Sequence, residues 1–304
     1  MVTYNHAEFI GEAIESVLAQ DFADWELVIG EDCSTDDTLA VARRYAERDP
    51  GRIRVLSGPD NLGGRGNFIR TLSACRGEYV AQLDGDDYWT AADKLSRQVA
   101  FLDEHPDAAL VFSACEMVGE GEHSEHRVFR APGRKPRYEQ LELLHGNPMS
   151  SCAVLWRRPA VESYPAWFKD VPVGDWAVHL LVADGGWVGY EDRVESAHRT
   201  HAGGMWGSLG ELRRLEQRLA VRPYLSGHLG PAAEPVARAA DLRDRFRIAR
   251  ELARLGRHRE ASEAFAWCWR HRGDGPRPKA YRSALGWLRS RAAGVLGAGR
   301  DDPN

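Results

Sequence analysis

Glu78-Tyr79-Val80-Ala81-Gln82-Leu83, followed at once by Asp84-Gly85-Asp86-Asp87, is the stretch on which the fold turns: a short strand-like run with three carboxylates at its carboxyl end. Upstream of it, Phe9, Ile10, Ala13, Ile14, Val17 and Leu18 recur at three- and four-residue spacing and predict a helix. Trp25 to Ile29 predicts a buried strand, and Asp36 and Asp37 open a second helical pattern through Leu39, Ala42, Tyr45 and Ala46, where acids suit the positive end of the helix dipole. Arg52 to Leu56 predicts a strand, Asn67 to Arg76 a helix stopped by Gly77, Asp93 to Glu104 a helix and Ala109 to Ala114 a strand. This alternation predicts an α/β fold, a mostly parallel sheet flanked by helices. In such sheets ligands bind beyond the carboxyl ends of the strands, where Glu31-Asp32 and Asp84 to Asp87 both fall.

The 304 residues suffice for two domains, or one core with an appendage, at roughly 150 residues per domain. A net charge of -5 argues against a general nucleic-acid binder. That figure hides a split: residues 205–304 hold 20 basic and 11 acidic side chains, leaving 20 and 34 for residues 1–204. The first part therefore stands at -14 and the last at +9. Five cysteines, Cys33, Cys75, Cys115, Cys152 and Cys268, form no CxxC pair and predict reduced, intracellular thiols. No secretory leader and no apolar stretch of about 18 residues is legible, so the expected location is cytoplasmic, with peripheral contact at the inner face of the membrane open. Met1-Val2-Thr3 leaves few residues for a first strand, and the start is expected to fall inside it. Residues 119–137 predict a polar, mobile loop across the active face.

Clustered carboxylates repel one another unless protons or a cation compensate. A divalent ion with a taste for hard oxygen ligands, Mg²⁺ or Mn²⁺, fits that need. Simpler readings stand beside it. Ser34 to Asp37 can be a helix cap, and Asp84 to Asp87 a solvated turn. A calcium loop fails on spacing, because Trp89 stands where its sixth-position glycine belongs and Leu95 where its twelfth-position carboxylate belongs. Arg65 and Arg70, beside Gly63, Gly64 and Gly66, either face a phosphate or lie in a flexible loop.

Thr3-Tyr4-Asn5, Glu31 to Asp36, Asn61-Leu62-Gly63 and Leu83 to Asp87, in that order over residues 1–115, resemble the successive signatures of family 2 glycosyltransferases with the GT-A fold. The resemblance implies that Thr3, Tyr4, Asn5 and Asp32 hold the nucleoside of a nucleotide diphosphate sugar, with Glu31 and Asn61 beside them. It implies that Asp84, Asp86 and Asp87, the family's Asp-x-Asp motif, hold ribose and a diphosphate-bound metal. Arg65 is a candidate for the diphosphate. The family usually has Asp-Asp-Gly where this chain has Glu31-Asp32-Cys33, which weakens Glu31 as a contact.

Further along, Asp175 in Gly174-Asp175-Trp176 falls where the resembled family carries its catalytic acidic residue, which implies a base, although a carboxylate at a helix start is ordinarily a cap. His198-Arg199-Thr200-His201 resembles the segment that closes over the diphosphate, which makes His201 a metal ligand with Asp86 and carries no role to His198. Gly203, Gly204 and Trp206 would complete that lid, and residues 146–151 the floor beneath the sugar. The implied activity is a metal-dependent, inverting transfer from a UDP-sugar to a saccharide or lipid-linked acceptor in surface polysaccharide or glycolipid synthesis. The alternative is an inactive nucleotide-sugar-binding or scaffold protein working through its tail. A nucleotidyltransferase would need a basic glycine-rich turn that Thr3 to Ala7 lacks.

The expected organisation is a catalytic domain over 1–208, with a nucleotide half to about 115 and an acceptor half after it, then a helical region over 209–304. Within that region Ala249, Leu252, Gly256, Ala261, Phe265 and Cys268 fit one tetratricopeptide-like hairpin over about 247–270, or an ordinary helical appendage. A basic amphipathic helix over Lys279 to Leu296 either lies on an anionic membrane or docks on its own domain.

Overall fold

A computed structural model describes residues 1–119, 126–158, 164–201, 204, 209–271 and 273. The Lys279 to Leu296 helix and the lid residues Gly203 and Trp206 lie outside them. The chain divides into two compact units, Met1–Ser208 and Leu209–Asn304.

In the first unit the strands are β1 (Val2–Thr3), β2 (Leu27–Glu31), β3 (Ile53–Leu56), β4 (Tyr79–Ala81), β5 (Tyr88–Trp89), β6 (Ala108–Gly119), β7 (Arg127–Phe129), β8 (Arg137–Tyr138), β9 (Val154–Arg157) and β10 (Trp187–Thr200). The helices are α1 (Ile10–Leu18), α2 (Thr38–Arg48), α3 (Gly63–Ser73), α4 (Lys94–Glu104) and α5 (Gly174–Val182). One sheet, β1-β2-β3, is wholly parallel. The other runs β4-β9-β6-β10-β5, with β7 on β6 and β8 on β10. Its only parallel pair among the described strands is β6–β10; the rest are antiparallel. The mixed sheet therefore carries less parallel pairing than the alternation of elements suggests, because β9 and β7 return to β6 without a crossover helix.

The apolar stripe of α1 is buried at Ile10, Ala13, Ile14 and Val17, in one core with Ile29, Leu83, Val111 and Leu155. Three expectations shift. The strand expected over Trp25 to Ile29 is β2, two residues later, because Gly30 and Glu31 pair with Val2 and Thr3. The helix expected to start at Asn67 begins at Gly63, so the glycines are its first turn rather than a loop. The polar stretch 119–137 contains β7, whose Arg127, Val128 and Phe129 pair with Met117, Glu116 and Cys115.

Gly30 shows how closely α3 approaches β2. A Cβ there would stand 1.8 Å from Thr71 Oγ1 and 2.6 Å from Asn67 Oδ1. Asn67 Nδ2 instead donates to the Gly30 carbonyl at 2.7 Å. The two sheets meet at the site: Val2 N donates to the Leu83 carbonyl (3.3 Å), and Gly85 N to the Val2 carbonyl (2.9 Å).

Among the described residues the second unit holds α6 (Glu211–Leu229), α7 (Glu234–Arg254) and α8 (His258–Arg270). Ala249, Leu252, Ala261, Phe265 and Cys268 are buried together with Leu242 and Phe246, and Gly256 takes the left-handed conformation (φ +75°) between α7 and α8. Arg222, on α6, is wholly buried and paired with Asp241 and Asp244 of α7. No helix among the described residues is long and apolar enough to cross a membrane.

Candidate functional site

Beyond β1 and β2 the chain makes two turns that fasten to each other. Asn5 takes a left-handed conformation (φ +55°), which asparagine tolerates better than most residues. Its N–H donates to Ser34 Oγ (3.0 Å), and its Oδ1 accepts the Thr35 N–H (2.8 Å). Glu31 Oε1 accepts the Ser34 N–H at 2.6 Å. Asp36 accepts from Thr38 and from the Ala7 N–H; despite the opposing effect of burial, these bonds hold its carboxyl below the usual range. Asp32 Oδ1 accepts the Leu62 N–H (2.9 Å), and its carbonyl accepts Asn61 Nδ2 (2.8 Å). Tyr4 is exposed. The acids of the first signature thus act first as struts that fix the shape of this end of the cleft.

The second acidic turn is packed against β1. A Cβ on Gly85 would stand 2.5 Å from Thr3 Oγ1 and 2.7 Å from Thr3 Cβ, so only glycine lets the turn lie this close. Around Gly85 the three carboxylates have different surroundings. Asp84 accepts a hydrogen bond from Ser151 Oγ at 3.0 Å; burial, then repulsion from Asp87 and Asp86, pushes its pKa up to about 7. Asp86 Oδ2 lies 3.1 Å from His201 Nε2 and 3.6 Å from His6 Nε2. Asp87 is wholly buried, with Oδ2 at 3.0 Å from His198 Nδ1 and Oδ1 accepting the Arg199 N–H at 2.9 Å. Burial opposes a charge on His198, but the Asp87 carboxylate outweighs it and raises the imidazole to about 9. The Arg199 guanidinium donates to the Asp86 carbonyl (2.8 Å), lies 4.4 Å over the Tyr88 ring and pairs with Glu12.

Of the residues expected to touch a nucleotide, Thr3, Glu31 and Asp87 are buried, Thr3 under Gly85, Glu31 behind Ser34, and Asp87 beneath His198. Asp86 and His201 come together, and His6 joins them although the sequence reading passed over it. One donor atom from each of the three lies within 4.8 Å of the others. Two imidazole nitrogens and a carboxylate oxygen suit a divalent first-row ion such as Mn²⁺ better than Mg²⁺, which prefers oxygen alone. The signal was available in the sequence, since His6 directly follows Tyr4-Asn5, but nothing local distinguishes it from a surface histidine.

In the second half of the unit Asp175 sits in the first turn of α5. Its Oδ2 accepts a hydrogen bond from Asn147 Nδ2 at 3.0 Å, and Asn147 Oδ1 lies 3.2 Å from Nδ1 of the wholly buried His179. Four residues beyond Asn147, Ser151 reaches Asp84, so one short segment touches both carboxylates. Arg65 donates through Nε to the Lys169 carbonyl (3.2 Å), and its stem lies beside Gly174, which places it next to the start of α5. Arg70 donates to the Glu31 carbonyl and to Asn67 Oδ1, each at 2.7 Å, and is committed to the scaffold.

The sequence model of the family described as "Glycosyl transferase family 2" matches residues 1–164. Rv1520, an uncharacterised protein of Mycobacterium tuberculosis, is 34% identical over 215 residues, which is 70% of this chain and 61% of that protein. The chain thus spans less than two thirds of that relative's length. Poly(ribitol-phosphate) beta-N-acetylglucosaminyltransferase TarS of Staphylococcus aureus is 34% identical over 122 residues, 39% of this chain and 21% of that protein. The crystal structure of TarS residues 1–349 in complex with UDP-GlcNAc superposes with a TM-score of 0.62 at 18% identity, covering 95% of this chain and 90% of that one. A mannosyltransferase of Pyrobaculum calidifontis in complex with GDP-Man and Mn²⁺ gives a TM-score of 0.62 at 20% identity, covering 97% of this chain and 79% of that one. At these identities the two structures establish the GT-A architecture, a mixed sheet with flanking helices.

Proposed function

Since the chain belongs to glycosyl transferase family 2, we propose that it moves a sugar from a nucleotide diphosphate donor, a UDP-sugar, to a hydroxyl of a saccharide or lipid-linked acceptor, with inversion at the anomeric carbon. The observation that carries this reading is the convergence of His6, Asp86 and His201 on one point, with Ser151 and Asn147 joining the acidic turn to Asp175. His6, Asp86 and His201 would hold a divalent cation, which supplies charge neutralisation for the departing diphosphate. Asp32 and Asn61, with the Asn5 turn and exposed Tyr4, shape the nucleoside end. Arg65 would present the remainder of its guanidinium to the diphosphate. Asp84, tied to Ser151, sets the floor between ribose and sugar.

Asp175 takes the proton of the acceptor hydroxyl. The freed oxygen attacks the anomeric carbon from the face opposite the phosphate, the carbon–oxygen bond to phosphate breaks, and its electron pair leaves with the nucleotide diphosphate. No covalent enzyme intermediate is required. TarS, a relative by sequence, supports a uridine donor and, through its poly(ribitol-phosphate) acceptor, a polymeric acceptor. The GDP-Man complex of the mannosyltransferase makes guanosine the competing base.

Calorimetric titration with UDP and GDP, each with and without Mn²⁺, tests the donor site. The expected result is UDP binding that requires the ion. Binding indifferent to metal, or preference for GDP, overturns the corresponding part of the proposal. Hydrolysis of the donor should be lost in Asp175→Asn while UDP binding persists; a mutant of normal turnover removes Asp175 as the base.

A further inference from the structure

The fully buried His179 and the half-buried Asn147 are not explained by donor binding. We propose that they are positioning residues for Asp175, forming a hydrogen-bonded relay that fixes the carboxylate with one oxygen held and the other presented to the acceptor. This rests on the reading of Asp175 as the base.

The direction of the relay follows from one main-chain group. The Met149 N–H, a donor only, lies 3.3 Å from Asn147 Oδ1. The asparagine oxygen therefore faces Met149 and the amide nitrogen faces Asp175, where it donates at 3.0 Å. With Oδ1 as acceptor, the contact to His179 Nδ1 at 3.2 Å requires the proton on Nδ1. The imidazole is neutral: burial pushes it down to about 4, against the attraction of Asp175. The proton order is thus His179 Nδ1–H to Asn147 Oδ1, and Asn147 Nδ2–H to Asp175 Oδ2.

The fold holds each member. His179 lies one helical turn after Asp175 on α5, so both project toward the same segment. Its ring packs edge-on against Trp156, and Trp176 Nε1 donates to the Leu143 carbonyl at 2.8 Å, fixing α5 against the segment that carries Asn147. Gly146, just before Asn147, has φ 144° and ψ 160°, a conformation essentially reserved for glycine, which aims the asparagine at α5. Among the described residues, His179 on the same helix interacts electrostatically with Asp175, and the Arg65 stem lies beside Gly174.

Two measurements on the full chain test the relay. Long-range ¹⁵N–¹H spectra of the wild type should show His179 as the neutral Nδ1–H tautomer down to about pH 5, with that preference lost in Asn147→Ala; an Nε2–H tautomer in the wild type overturns the proposal. Hydrolysis of UDP-GlcNAc, UDP-Glc or GDP-Man in Mn²⁺ should lose about tenfold to a hundredfold in kcat in Asn147→Ala, with the donor KM within about twofold and the acidic limb of the profile displaced to higher pH. His179→Phe, which keeps the ring volume, should lose less, and His179→Gln, which keeps a donor, should recover part of that loss. Wild-type kcat in both Asn147→Ala and His179→Phe beside a dead Asp175→Asn overturns the relay alone. Full activity in Asp175→Asn overturns the base, and a wild type that hydrolyses none of the three donors overturns the donor reading, while the tautomer still decides the relay.

Discussion

At the residue scale, the motif that first marks the site owes its form to packing. Gly85 is glycine because β1 lies directly against it. Gly85→Ala should cost about 1–3 kcal/mol and weaken metal-dependent UDP binding, because relieving the contact with Thr3 must move β1 or the acidic turn. Thermal denaturation and calorimetry read the two effects, and an unchanged melting temperature would contradict the geometry. His6 makes a sharper case. If it ligates with Asp86 and His201, His6→Ala should weaken Mn²⁺ binding at least about tenfold, read by the electron paramagnetic resonance of free Mn²⁺. Equal affinity in the variant would leave Asp86 and His201 as the protein's ligands. The approach of His201 to Asp86 matches where the motif order puts both residues, and Asp175 stands at the start of α5. The burial of Thr3, Glu31 and Asp87 was not legible, because a motif gives neighbours in sequence and says nothing of which way each side chain turns.

At the element scale, the strands and helices carry charges that their own sequences do not explain. Lys94, at the start of α4, is wholly buried, with Nζ 2.8 Å from Gln98 Oε1 and 4.6 Å from the centre of the Trp89 ring. Burial pulls its pKa down to about 8, although Glu195 on β10 draws it upward. The folded state therefore gives up this proton near pH 8 while the unfolded chain keeps it to about 10.5. The cost of burying the ammonium is fully present below pH 8, and stability contributed by this site should rise from pH 8 to 10.5. Lys94→Met should flatten that segment of the stability profile, measured by urea denaturation at a series of pH values. A rise of equal size in the variant would assign it elsewhere. Several elements of the first half were readable from apolar spacing alone, as in α1 and α2. Their ends were not: β2 runs through Glu31 because β1 pairs with it, and α3 starts at Gly63 despite three glycines because Gly30 lets it seat on β2.

At the scale of the whole molecule, the charge split acquires structural detail. The acidic unit concentrates carboxylates where its two sheets meet, while the helical unit buries part of its charge as ion pairs. Arg222 is enclosed with Asp244 and Asp241, so Asp244→Ala should destabilise the helical unit by about 1–3 kcal/mol, because Arg222 keeps Asp241 but loses one of its buried charge partners. Denaturation followed by helical circular dichroism measures this, and metal-dependent UDP binding should stay intact; a loss below 1 kcal/mol would make the network dispensable. The sequence by itself determined the α/β class, the family and the acids at strand ends, because periodicity, turn chemistry and motif order are local properties of the chain. Only the tertiary structure decided that Cys115 and Cys152 lie 3.6 Å apart, that His6 and His201 share Asp86, and that Asn147 and His179 stand behind Asp175. Asp175 and His179 share α5, but the other partners are separated by tens to nearly two hundred residues, and nothing short of the closed sheets brings them within reach of one another.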